Sequence, residues 1–185
     1  TLDYQTQGGN GKDLVTEIIP QYTTTRLYSR DGTYSRSAVI NEMNKGTHIV
    51  NDYGHAGYWT VMGLYRSDVD SLTNTEYFMA YSIGCYSAAF DSATSGTGEA
   101  IGEHFITSNG GAFAYIGNSR YGLYLPASNE GPGDRYDRSF FNALNHGIRN
   151  IGKALQLSKE NLFDEFLNRW TYFTLNLLGD PETEI

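Results

Sequence analysis

Only one cysteine stands in 185 residues, so no internal disulfide can form. Its thiol, at Cys85, is a buried small hydrophobe, an incidental group or a nucleophile. Positive charge is scarce: 4 lysines are present, and Lys plus Arg number 13 against 21 Asp plus Glu, a formal charge of −8. The basic footprint that a phosphate backbone requires is therefore missing, and so is attraction to an anionic lipid surface. No apolar run approaches the roughly 20 residues of a membrane span. Internal repeats, low-complexity tracts and charge blocks are lacking too. With no second cysteine and no paired His/Asp spacing, a structural zinc site is not supported.

What is there suits a folded α/β chain. Hydrophobic residues make up 39% and aromatic ones 14%, enough for a proper core. The 15 Tyr and 21 Gly beside so few lysines give a surface style common in secreted or cell-surface proteins. The chain opens at Thr1 in a polar, glycine-bearing stretch and reads as residues 1–185 of a longer protein, processed or excised. Asp13 is placed to cap a short helix carrying Leu14, Val15, Ile18 and Ile19, ahead of a β-prone stretch from Thr23 to Tyr28. Ser35 caps a second helix, stopped at Gly46. Thr47–Tyr53, Tyr77–Ile83 and Gly111–Ile116 read as buried strands, with a helix over Gly98–Thr107. Pro126, Gly131, Pro132 and Gly133 mark a long loop from Tyr121 to Asp134. Phe140, Phe141 and Leu144 place a helix after it. A further helix from about Asn150 is expected to present Ile151, Leu155, Leu162, Phe166 and Trp170 inward, before a Phe173/Leu175/Leu177 alternation. Strands alternating with helices predict an α/β protein, a mostly parallel sheet flanked by helices on both faces.

In such sheets function gathers in loops beyond the carboxyl ends of strands. One such loop holds Gly54-His55-Ala56-Gly57 and another holds Gly84-Cys85-Tyr86. If the strands are neighbours, about 5 Å apart, thiol and imidazole can meet. A thiolate attacks a carbonyl and an imidazolium protonates the leaving amine, which is the minimum for nucleophilic acyl transfer. The backbone N–H groups of Ala56 and Cys85 are candidate oxyanion donors. Read from the residues alone, the alternative stays open: a buried thiol in a strand end beside a turn histidine. Gly96-Thr97-Gly98 before a helix loosely suggests a phosphate-cradling turn, but its spacing misses the dinucleotide pattern.

Four blocks resemble the gingipain-like cysteine peptidases in the right order. Ile49 to Trp59, with Asn51, Gly54-His55 and Trp59, is similar to their histidine block, and Tyr81-Ser82-Ile83-Gly84-Cys85 to their cysteine block. Gly110-Gly111-Ala112-Phe113-Ala114-Tyr115-Ile116 resembles the strand whose following loop shapes the primary specificity pocket. Asn176-Leu177-Leu178-Gly179-Asp180-Pro181 resembles the terminus of that catalytic domain. The resemblance implies a caspase-like three-layer sandwich and a cysteine endopeptidase with Cys85 as nucleophile and His55 as general acid/base. It places Trp59, Tyr121 and Tyr124 in loops at the substrate cleft. It calls for no catalytic cofactor, with calcium as a structural ion whose ligands the sequence does not assign.

Two departures from the family pattern set further expectations. The family has Gly directly after the histidine, where this chain has Ala56; a Cβ there is costly if the backbone is left-handed. In the family a preceding subdomain supplies the acid that orients the histidine, and here the nearest upstream acids are Asp3 and Asp13. A peptide or protein substrate and an N-terminal subdomain or companion chain are therefore the expected partners. The competing expectation is a catalytically inactive or incomplete peptidase-like module that binds a partner chain.

Overall fold

Four strands order the molecule. The computed structural model describes residues 4–91, 98–163 and 166–185. Strands β1 (Ile49–Asp52), β4 (Phe78–Ser82), β5 (Ala112–Asn118) and β6 (Leu175–Gly179) form one sheet in the order β1-β4-β5-β6. The first three are parallel, and β6 runs antiparallel to β5. Between β1 and β4 lie a small hairpin, β2 (Thr60–Val61) with β3 (Leu64–Tyr65), and the short helix α3 (Arg66–Asp70). The hairpin turn is Met62-Gly63, both at positive φ (55° and 67°), the two-residue turn whose twist suits paired strands.

Helices cover both faces, because every residue of β4 is buried and successive side chains point to opposite sides. Met79 and Tyr81 join Val15 of α1 (Tyr4–Ile18) and Ile19 just after it, Phe140 and Phe141 of α5 (Pro132–Asn145) and Ile151 of α6 (Ile151–Glu160). Phe78 and Ala80 join Val39 and Met43 of α2 (Arg36–Asn44), Val69 of α3, and Ile101 and Phe105 of α4 (Ile101–Thr107). The fold is thus the expected three-layer sandwich with a mostly parallel sheet. Helix α7 (Phe166–Thr174) leads into β6.

Some local expectations need correcting. Asp13 does not cap a helix; it sits inside α1, which begins at Tyr4. The glycines of the polar opening stretch are points of close approach within the helix: a Cβ on Gly8 would lie 2.8 Å from the Tyr53 ring, and one on Gly11 2.9 Å from Asn129. Thr23–Tyr28 is not a strand, since no neighbouring chain pairs with it among the described residues. Pro132 and Gly133 belong to α5, with Pro132 in its first turn, where a missing N–H costs nothing. The long helix expected after Asn150 is two helices, α6 and α7. Phe166 and Trp170 face outward, at 86% and 42% exposure, rather than into the core. Phe173 lies in the last turn of α7, also exposed, and only Leu175 and Leu177 of that alternation belong to the strand. Ser35 caps α2 as expected, its Oγ accepting the Ala38 N–H at 3.1 Å.

Candidate active site

Both chemical loops leave the same edge of the sheet. Asp52 ends β1 opposite Ser82 at the end of β4, so the segments carrying His55 and Cys85 start side by side. One hydroxyl ties them: Ser82 Oγ donates to Asp52 Oδ2 at 2.7 Å and accepts the Gly84 N–H at 3.1 Å. Burial pushes the Asp52 carboxyl above its ordinary range, and the Ser82 hydrogen bond opposes that rise. The loops then touch. A Cβ built on Gly84 would fall 2.5 Å from the Ala56 Cβ, 3.0 Å from the Gly54 carbonyl oxygen and 3.2 Å from the Ala56 nitrogen. Residues flanking His55 and Cys85 are therefore in van der Waals contact, and only glycine fits at position 84.

Ala56 carries no backbone strain. Among the described residues the non-glycine positions at positive φ are Met62, Tyr86 and Ala127. Its methyl group occupies the space that Gly84 leaves free. Among the hydrogen bonds of the described residues, none is donated by the backbone N–H of Ala56 or of Cys85. Both candidate oxyanion donors are thus uncommitted. His55 is solvent-exposed in its loop, and Cys85 is partly exposed, its Sγ 4.0 Å from the Gly122 carbonyl oxygen.

The cysteine loop is pinned from the strand next door. Asn118, at the end of β5, donates from Nδ2 to the carbonyls of Ile83 and Gly84 at 3.1 Å each. Tyr86 N–H reaches the Arg120 carbonyl at 2.9 Å, and Ala88 N–H the Asn118 carbonyl at 3.1 Å. These bonds hold Tyr86 at φ 55°, a strained value for a side chain with a Cβ. Farther out, Arg120 clamps Asp91 through both carboxylate oxygens at 2.9 and 2.6 Å, which holds the Asp91 carboxyl below its usual range. Asp91 is thus held in a structural ion pair.

The three aromatic candidates are dispersed around these loops. Tyr121 touches the cysteine loop: its ring packs edge-on against Tyr86 at 4.9 Å, and its carbonyl accepts the Trp170 Nε1–H at 2.8 Å. Trp59 lies beside Tyr58, whose hydroxyl donates to the Gly98 carbonyl near the start of α4. Tyr124 is packed by Gly131 on the side where α5 begins. All three rings are about half exposed. Of the upstream acids, Asp13 is engaged by Arg30 at 2.5 Å and by the Tyr28 hydroxyl at 3.2 Å, and Asp3 lies outside the described residues. Gly96 and Thr97 of the glycine-rich turn lie outside them as well. Among the described residues no group of three or more His, Cys, Asp or Glu is placed to hold a metal ion.

Sequence reasoning passed over Asp52, Ser82, Asn118 and Arg120. The first two carried a usable signal, an acid and a hydroxyl ending otherwise apolar runs, where a polar group is retained only if it is bonded.

A mostly parallel sheet between two helical layers, with two loops abutting past adjacent strand ends, defines a caspase-like α/β protein. Residues 3–185 match peptidase family C25, and the chain belongs to this gingipain family. Two solved structures share the fold. One, the complex of pro- and mature domains of RgpB from Porphyromonas gingivalis, superposes with a TM-score of 0.78 at 16% identity, covering 94% of this chain and 43% of that one. The other, a protease, gives 0.68 at 16% identity, covering 100% of this chain and 46% of that one. The chain therefore spans less than half the length of either. No curated protein matches the sequence.

Proposed function

We propose that the protein is a cysteine endopeptidase with Cys85 as nucleophile and His55 as general acid/base. The observation that carries the reading is the contact between the two loops at Gly84 and Ala56, next to the thiol and the imidazole. The Cys85 thiolate attacks the scissile carbonyl carbon, forming a C–S bond and an oxyanion that the Ala56 and Cys85 N–H groups receive. The oxyanion collapses as the C–N bond breaks, and His55 gives its proton to the departing amine. His55 next takes a proton from water, the hydroxide attacks the thioester carbon, the C–S bond breaks as His55 returns the proton to sulfur, and the carboxylic acid leaves with the thiol restored. This chemistry draws on protein groups alone, with calcium confined to a structural role. Tyr121, Trp59 and Tyr124 are the side chains assigned to the substrate peptide. Family membership supports an exported or surface location for such an enzyme.

A second reading has its own support. Because the chain spans under half of its structural relatives, residues 1–185 fit equally a peptidase-like module that is inactive by itself and binds a companion half. Peptidyl acyloxymethyl ketones with Arg, Lys, Leu or Asp at the terminal position separate the two when intact mass is measured. An adduct lost in Cys85→Ala, and lost or strongly slowed in His55→Ala, supports the peptidase. A folded chain that takes up no probe until a companion half is added supports the second reading.

A further inference from the structure

Helix α1 reaches both sides of the candidate cleft through one side chain. Gln7 is 2% exposed, yet both polar atoms of its amide are bonded to residues far along the chain. Its Nε2 donates to the carbonyls of Leu125 and Ser128 at 2.8 and 2.6 Å and to the Tyr53 hydroxyl at 3.1 Å. Its Oε1 accepts the Ala127 N–H at 3.0 Å. Asn129 Nδ2 donates in turn to the Gln7 carbonyl at 2.9 Å. Tyr53 stands two residues before His55, and Leu125 directly follows Tyr124.

Residues 125–128, which the amide grips, form a tight turn. Ser128 N–H donates to the Leu125 carbonyl at 3.1 Å, Pro126 takes the second position and Ala127 the third, at φ 59°. Proline followed by a positive φ is the pattern of a type II turn, whose third position glycine fills freely and alanine only under strain. Such strain persists where the surroundings over-determine it. Residues 125–127 are exposed, so core packing does not impose the conformation, whereas the buried amide bonds three of the four turn residues.

The same segment flanks the thiol. Cys85 Sγ lies 4.0 Å from the Gly122 carbonyl oxygen, and Gly122 is seated against the end of β4, where a Cβ would collide with the Ile83 carbonyl. Leu123 is fixed by the Gly133 N–H at 2.9 Å. Tyr124 and Leu125, 46% and 45% exposed, run from that anchor into the turn held by Gln7. On the histidine side α1 is braced as well: Lys12 Nζ donates to Asn51 Oδ1 of β1 at 2.8 Å, and Gly8 lets the Tyr53 ring approach.

We propose that Gln7 is a positioning residue of the active site, holding the 125–128 turn so that Tyr124 and Leu125 keep a fixed distance from the segment that carries His55. Gln7 touches no substrate. It acts through the turn, and what it sets is which substrate side chain fits beside the thiol. The amide is neutral and fully engaged, so it supplies shape and no charge. The proposal rests on the peptidase reading and goes beyond it by naming the residue that sizes the cleft.

The test removes the amide and then the strain. Gln7→Met keeps a good helix former of similar volume but offers no amide, leaving the Leu125 and Ser128 carbonyls unpaired. Hydrogen exchange at the Ser128 N–H, whose bond lies within the turn, should then be at least about tenfold faster. Adding Ala127→Gly removes the strain that Gln7 holds and should restore most of the protection. Cys85 labelling by the Arg, Lys, Leu and Asp ketones is followed in parallel, with a companion half added if the chain alone takes up no probe. The preference between the best and the next-best ketone should shrink at least about threefold in Gln7→Met and recover in the double variant. A merely structural role would slow every ketone in proportion; that result overturns the proposal, and so does unaltered Ser128 exchange. Should Gln7→Met fail to fold, Gln7→Glu, which keeps the acceptor for Ala127 and loses the donors, is judged by the same two readouts. A chain that takes up no ketone even with the companion half sinks the peptidase reading and this proposal with it. Ser128 exchange, which needs no activity, tells that failure apart from a failure of Gln7 to hold the turn.

Discussion

At Gly84 the requirement is steric and reciprocal. A methyl group there meets the Ala56 Cβ at 2.5 Å and the Gly54 carbonyl oxygen at 3.0 Å, so one loop must move. Gly84→Ala is expected to cost about 1–3 kcal/mol in urea unfolding and to slow Cys85 labelling. Adding Ala56→Gly removes the closer contact and leaves the other, so the double variant should recover part of the loss, with a coupling of at least about 0.5 kcal/mol. Additive effects would mean that the loops do not meet. Asp52 makes a pH prediction. Its folded carboxyl binds a proton more tightly than the usual aspartate at 3.8, chiefly through burial, so its contribution to stability falls as pH rises from that value through the raised one. Asp134 is shifted the same way, by burial first, and adds a slope of the same sign. Asp52→Asn should therefore flatten, not abolish, the decline in unfolding free energy as pH rises above the ordinary carboxylate range. An unchanged slope would place the carboxyl in water.

Among the elements, α7 breaks the rule that apolar stripes face inward. Phe166, Trp170 and Phe173 recur at helical spacing, yet at 86%, 42% and 70% exposure they point away from the sheet. Asn168 and Thr171 are buried instead, and the Asn168 carbonyl accepts the Tyr136 hydroxyl at 3.0 Å. Phe166→Ser and Phe173→Ser should each change stability by no more than about 0.5 kcal/mol in urea melts. Trp170→Phe loses the bond to the Tyr121 carbonyl and should cost about 1 kcal/mol. This inversion explains why the helix was misread from sequence, since periodicity reports a stripe and not the direction it faces. The three parallel strands were legible because each is a short apolar run ended by a polar or small residue. Of helix α1 only the second half was legible, because two glycines of its first half, Gly8 and Gly11, serve contacts with residues more than forty positions away. The β2–β3 hairpin escaped notice because two residues per strand give no alternation to read. Of the site, His55 and Cys85 were visible from their place after strand ends. The bonds of Asn118 to the cysteine loop join segments more than thirty residues apart, a pairing only the assembled sheet supplies.

On the scale of the whole molecule, the two chemical loops hang from strands of different standing. Cys85 follows β4, which is flanked by β1 and β5 and buried throughout. His55 follows β1, which has one neighbour and is only partly buried. Local opening is cheapest where contacts are fewest, so β1 would peel away before β4 does. In any such excursion the imidazole departs while the thiol keeps its place. For the proposed Cys85–His55 pair, a chain caught in that state would hold its nucleophile and lack its proton shuttle, and the lifetime of an edge strand, rather than the chemistry of the cysteine, would set how often the pair is whole.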